Sequence, residues 1–234
     1  MTGKLPYIRA VIFDLANTIV ENKKGFNPRY EAQVLLGLPT KQHLRNLIFT
    51  LAADKPGMDS EEFAEALVKR TKGKIDAHLV KEIKQIFLHN NECLQLRPDA
   101  LYVLHELRSH GLKLALLSNC TPFAKLLVRD LELSKHFDTI VLSSNVGYMK
   151  PDPRIFILTM KQMNVSANET CVVGDKVKTD ILGGTLAGCK TILLEIHSRE
   201  IVIDSSLPVY AVIKSLSDIL TLPIFKCQFL QTNF

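Results

Sequence analysis

Ile8-Arg9-Ala10-Val11-Ile12-Phe13-Asp14-Leu15-Ala16-Asn17-Thr18 sets a short, β-branched apolar run directly against an acidic residue and a polar turn. A continuous apolar run without polar alternation belongs to a strand buried on both faces of a parallel sheet. Residues 112–117, 139–142, 170–173, 191–194 and 209–213 repeat the pattern. Helical stretches separate them. After Pro98, residues Ala100, Val103, Leu104 and Leu107 follow i, i+3, i+4, i+7 spacing, and Gly111 stands where a C-terminal cap belongs. Pro151 is expected to open a helix running through Met163, and 179–187 to form another that closes before Gly188. Strands alternating with helices specify an α/β fold around a parallel sheet.

Residues 19–96 read differently. Leu44, Leu47, Ile48 and Leu51 share one helical face after Thr40; Phe63, Ala66 and Leu67 share another after Asp59-x-x-Glu62; Leu79, Ile83, Ile86 and Phe87 share a third. No strand pattern interrupts them, and Gly25, Pro39, Pro56, Gly57 and Gly73 supply the breaks. An all-helical insertion after the first strand is expected, with residues 1–18 and 97–234 forming the core and 19–96 a second unit. The run Lys69-Arg70-x-Lys72-x-Lys74 suits a helix end, where cations complement the dipole.

The 234 residues are 47% hydrophobic and 23% charged, the composition of a folded domain and not of a disordered or collagenous chain. No apolar run approaches the ~18 residues that span a bilayer, and no secretory pattern opens the chain, so a soluble, unexported protein is expected. The five cysteines form no C-x-x-C pair, which argues against a disulfide framework or zinc site and fits a reducing cytoplasm. The net charge of +5 is spread among interleaved acids and bases, with no Trp and no basic stripe, so nucleic acid is not the expected partner while an anionic substrate is compatible. The apolar tail 222–234 is expected to pack on the core, and monomer and homodimer are both open.

Polar residues fall where the strands end. Asp14, Ser118 and Asp175 each follow an apolar run, Lys150 lies a few residues past 139–142, and in an open α/β sheet ligands bind outside the carboxyl ends of the strands. The four chemistries are complementary: a carboxylate can attack phosphorus, a hydroxyl and an ammonium can hold phosphoryl oxygens, and Asp14 with Asp175 can hold Mg²⁺.

In order along the chain, Asp14-Leu-Ala-Asn-Thr18, Ser118-Asn119, Lys150-Pro151 and Gly174-Asp175-x-x-x-x-Asp180 resemble the four motifs of the haloacid dehalogenase-like hydrolase superfamily. The resemblance covers about residues 8–194 and implies a Rossmann-like core with a helical cap that closes over the site and selects a small phosphorylated substrate. It implies a Mg²⁺-dependent phosphohydrolase in which Asp14 is the nucleophile and a metal ligand, Ser118 binds the phosphoryl group and Lys150 stabilises the shared charge. Asp175 would ligate Mg²⁺, with Asp180 assisting through a water. Asn17, Thr18 and Asn119 would shape the phosphate site, and the backbone carbonyl of Ala16 would reach the metal.

Ala16 departs from that pattern. Most phosphatases of this superfamily carry there an aspartate that protonates the leaving oxygen and then activates water, a contribution of about 10²–10⁴-fold. The chain is then a phosphatase whose acid/base is replaced or dispensable, or a phosphonoacetaldehyde-hydrolase-like enzyme using a cap lysine such as Lys55. It is otherwise a phosphate-binding module without turnover, or a chain in which Ala16 was introduced. Asp175 and Asp180 speak against dehalogenation, which does not use that metal pattern.

Overall fold

A computed structural model describes residues 7–195 and 207–229. In chain order its elements begin with strands β1 (Ala10–Phe13) and β2 (Val20–Asn22), helices α1 (Pro28–Leu36), α2 (Lys41–Asp54), α3 (Ser60–Lys72) and α4 (Ala77–Glu92), and strand β3 (Leu94–Leu96). There follow α5 (Ala100–Ser109), β4 (Lys113–Ser118), α6 (Ala124–Asp130), β5 (Thr139–Leu142), α7 (Ser143–Val146), α8 (Pro153–Met163) and β6 (Thr170–Gly174). The last are α9 (Leu182–Leu186), β7 (Lys190–Leu194), β8 (Ala211–Ile213) and α10 (Pro223–Phe229).

The six-stranded sheet runs β5-β4-β1-β6-β7-β8, with every neighbouring pair parallel. From β1 the chain builds outward to β4 and β5, then crosses back to β6, so Asp14 ends the strand at which the winding direction changes. Apolar runs without alternation are needed because both sheet faces are covered. Val11 and Phe13 enter one core with Leu114, Leu116 and Val173, under α5 and α6. Ala10 and Ile12 enter the other with Ala115, Leu117 and Val172, under Ile155, Phe156 and Met160 of α8. Ile224 and Phe225 of α10 are buried in the first core, so the described part of the tail packs as expected, and 230–234 lie outside the described residues.

Helices α1–α4 carry their own buried cluster. Their boundaries are written in the sequence. Asn27 caps α1 by accepting from the Tyr30 amide, Pro28 fills its first turn, and Asp59 and Glu62 close a capping box on α3. Lys69, Arg70 and Lys72 occupy the last turn of α3.

Three expectations need correction. Residues 19–96 are not helical throughout, because β2 and β3 pair antiparallel at the two ends of the insertion, in strands too short to show a period of two. The helix expected at Pro151 begins at Pro153, because Asp152 accepts from the Arg154 amide and caps it. The helix expected over 179–187 is a π-helical turn at Val177–Ile181 followed by α9.

Phe123, just before α6, is 1% exposed and belongs to the buried cluster of the insertion. Its ring stacks on Phe87 at 5.3 Å and meets Phe63 edge-on at 6.3 Å. Phe123→Ala is expected to lower the unfolding free energy by about 3–5 kcal/mol, the usual cost of emptying a buried aromatic site. Urea titration checks this, and an unchanged midpoint contradicts the anchoring role.

Candidate active site

The sheet brings the strand-end residues together. The Asp14 amide donates to the Val173 carbonyl at 2.9 Å, tying the residue to β6 as well as β1, and Asp14 is 6% exposed. Lys150 is 2% exposed, and its ammonium reaches Asp14 Oδ1 at 2.5 Å, Asp180 Oδ1 at 2.6 Å and the Leu117 carbonyl at 2.9 Å. Burial alone would lower the Lys150 pKa. The charges of Asp14 and Asp180 and the hydrogen bonds to both outweigh it, so the pKa is raised and the ammonium stays protonated. Burial raises the Asp180 pKa, with Lys150 opposing and Asp14 adding to the rise.

Asn119 bonds to the Lys150 backbone. Its Nδ2 donates to the Lys150 carbonyl and its Oδ1 accepts from the Lys150 amide, both at 2.8 Å, so it locks the backbone that carries the ammonium. Ser118, at the end of β4, is buried beside it. Asn17 adopts a left-handed φ of 63°, which asparagine tolerates, and its Nδ2 donates to Asp175 Oδ2 at 3.0 Å. Thr18 is fully buried, and its hydroxyl has no partner among the described residues.

After β6 the chain passes very close to itself. A Cβ on Gly174 would overlap Cβ and Cγ of Asp180, so this position requires glycine. The π-helical turn lets Asp180 Oδ2 accept from the Lys176 amide at 3.0 Å while Oδ1 faces Lys150. Widened turns of this kind recur at functional sites. One oxygen each of Asp14, Asp175 and Asp180 lies within 4.8 Å of the others, a cluster of hard donors suited to a divalent cation such as Mg²⁺. The Ala16 carbonyl accepts no hydrogen bond from the described residues, which leaves it available to the same ion.

A cleft of about 590 Å³ runs from Ala16, Asn17 and Ser118 to the inner wall of α1, α2 and α4. Cys120 lines it, with its thiol pKa raised chiefly by burial. Cys93, Cys120, Cys171 and Cys189 form no disulfide. Lys55 is not part of the cleft: its side chain is 64% exposed and pairs with Glu62 at 2.6 Å. The close approach of Asp180 to Gly174, the Leu117 carbonyl and the cleft arginines Arg29 and Arg45 were not anticipated from the sequence. Arg29 carries a readable signal, a cation in the first turn of a helix, where the dipole disfavours it.

A family model for haloacid dehalogenase-like hydrolases matches residues 8–188. The chain is 30% identical to a phosphoglycolate phosphatase of Photorhabdus laumondii over 78% of each protein. It is 29% identical to a glyceraldehyde 3-phosphate phosphatase of Methanothermobacter thermautotrophicus over 82% of this chain and 88% of that one. Among solved structures, a 2-haloacid dehalogenase from Pseudomonas syringae shares the fold with a TM-score of 0.66, at 22% identity, over 95% of this chain and 99% of the other. No helix among the described residues is long and apolar enough to cross a membrane.

Removing the ammonium would leave two buried carboxylates facing each other. Lys150→Met is expected to lower the unfolding free energy by about 3–5 kcal/mol. Urea unfolding in the presence of a chelator tests this, and an unchanged or increased stability would contradict the pairing described.

Proposed function

Since the chain belongs to the haloacid dehalogenase-like hydrolase family, matched over residues 8–188, we propose that it is a Mg²⁺-dependent phosphohydrolase acting on a small phosphorylated metabolite through Asp14. The observation that carries this reading is Lys150 seated between Asp14 and Asp180, with Asp175 completing a three-carboxylate cluster. A cluster of that kind serves phosphoryl chemistry, because a cation must separate an anionic nucleophile from an anionic substrate. Residues 19–96 act as the cap over the core of 1–18 and 97–234, with the β2–β3 pair at its base. The free cysteines suit a reducing cytoplasm.

In the first step an Asp14 carboxylate oxygen forms a bond to phosphorus as the bond to the leaving oxygen breaks, and the leaving group takes that electron pair. In the second, water attacks phosphorus, Asp14 departs as carboxylate, and inorganic phosphate is released. Lys150 aims Asp14 and sets its positive charge beside the phosphoryl site, where the Ser118 hydroxyl offers a donor to a phosphoryl oxygen. Asn119 holds Lys150 in place, and Asn17 holds Asp175. Asp14, Asp175 and the Ala16 carbonyl would hold Mg²⁺, with Asp180 beside them, and the ion would supply charge neutralisation.

Ala16 offers no proton. The titratable side chains lining the cleft are Arg29, Arg45 and Cys120, and none of them is an acid/base near neutral pH. Leaving groups that depart without protonation, such as acyl or aryl oxygens, are therefore favoured. The same feature supports a second reading, a relative that binds phosphate with Mg²⁺ and scarcely turns over.

Phosphate release from an aryl and alkyl phosphate series with Mg²⁺ tests both. The expected rate falls steeply as the leaving group becomes more basic, Ala16→Asp raises alkyl phosphate turnover by about 10²–10⁴-fold, and Asp14→Asn abolishes release. Release that survives Asp14→Asn contradicts the nucleophile. No release by this chain, with Mg²⁺-dependent beryllofluoride binding intact, selects the binding relative.

A further inference from the structure

The helical wall of the cleft carries two cations and no acid. Arg29, in the first turn of α1, and Arg45, on α2, both line it, and no Asp or Glu does. Among the described residues neither guanidinium has a carboxylate partner. The Arg45 guanidinium lies 5.2 Å from the centre of the Phe49 ring, which holds it against the wall. Although Arg29 reaches solvent, enclosure by the cleft and then the neighbouring Arg45 charge lower its pKa. Arginine remains protonated regardless. Two positive charges therefore line one wall of the cleft, one of them in the first turn of a helix, where the dipole disfavours it. Each of these costs is relieved by one thing, an anion in the cleft.

We propose that Arg29 and Arg45 form an oxyanion subsite, so that the substrate carries a second anionic group, a carboxylate or a further phosphate, besides the phosphate delivered to Asp14. The planar forks of arginine match the paired oxygens of both groups, and the phenyl ring of Phe49 gives one fork a fixed plane. The subsite rests on the phosphohydrolase reading of Asp14 and deepens it. A neutral phosphate ester would leave the arginine pair uncompensated.

Calorimetry on the full chain with Mg²⁺ tests this. Its probes are inorganic phosphate, a homologous series of ω-phosphonocarboxylates, the matching carboxamides and the matching bisphosphonates. At least one doubly anionic probe is expected to bind about tenfold or more tighter than its carboxamide, as charge-assisted hydrogen bonds warrant. A preference for carboxylate or for bisphosphonate identifies which anion the subsite takes. Arg29→Gln and Arg45→Gln should each lose part of that preference and the double variant all of it, so the test does not depend on the double variant folding. Equal affinity across carboxamides, carboxylates and bisphosphonates, or a preference that survives both substitutions, overturns the subsite and leaves the phosphate site standing. Failure of inorganic phosphate and every phosphonate to bind overturns the phosphohydrolase reading and the subsite with it.

Discussion

Lys150 places one positive charge between two buried carboxylates, Asp14 and Asp180, at the end of a sheet whose strands come from distant parts of the chain. Any two of these groups without the third would be costly to bury, and an unpaired ion in such a place costs several kcal/mol. The surrounding structure serves that triad. Asn119 locks the Lys150 backbone from the end of β4, the Leu117 carbonyl takes the remaining ammonium proton, and the Val173 carbonyl fixes Asp14. Gly174 yields the space Asp180 needs, and the π-helical turn aims it. Three carboxylates face two ammonium groups, the buried Lys150 and the exposed Lys176 at 3.0 Å from Asp175, which leaves an acidic excess that a divalent cation can take up.

The cleft above this site is polarised. Its floor, at Ala16, Asn17 and Ser118, adjoins the carboxylate cluster through the Asn17–Asp175 hydrogen bond, while its helical wall presents Arg29 and Arg45 among phenylalanine rings. Phe123 joins the two parts by leaving the α6 side of the core and packing inside the helical cluster. The wall is therefore held over the floor by a buried aromatic contact as well as by the β2–β3 pair. Ala16 lines the cleft with a methyl group, which carries no proton to deliver.

Much of this was legible in the sequence because its causes are local. Apolar runs ending in Asp14, Ser118 and Asp175 announce strands covered on both faces, and Asp59 with Glu62 announces the start of α3. What escaped is not local. The β2–β3 pair joins residues more than seventy positions apart through strands too short to show alternation. The role of Asn119 depends on meeting the Lys150 backbone, and that of Gly174 on the approach of Asp180, neither of which leaves a spacing signal. Arg29 left a faint one, since a cation at a helix start contradicts the usual preference.

Covalent trapping addresses the central claim, that Asp14 attacks phosphorus. The chain is mixed with an aryl phosphate and Mg²⁺, quenched in acid, reduced with borohydride and mapped by mass spectrometry. Reduction of an aspartyl phosphate leaves homoserine, and the account predicts it at position 14, only when Mg²⁺ is present. Homoserine elsewhere, or phosphate release without any homoserine, would contradict it.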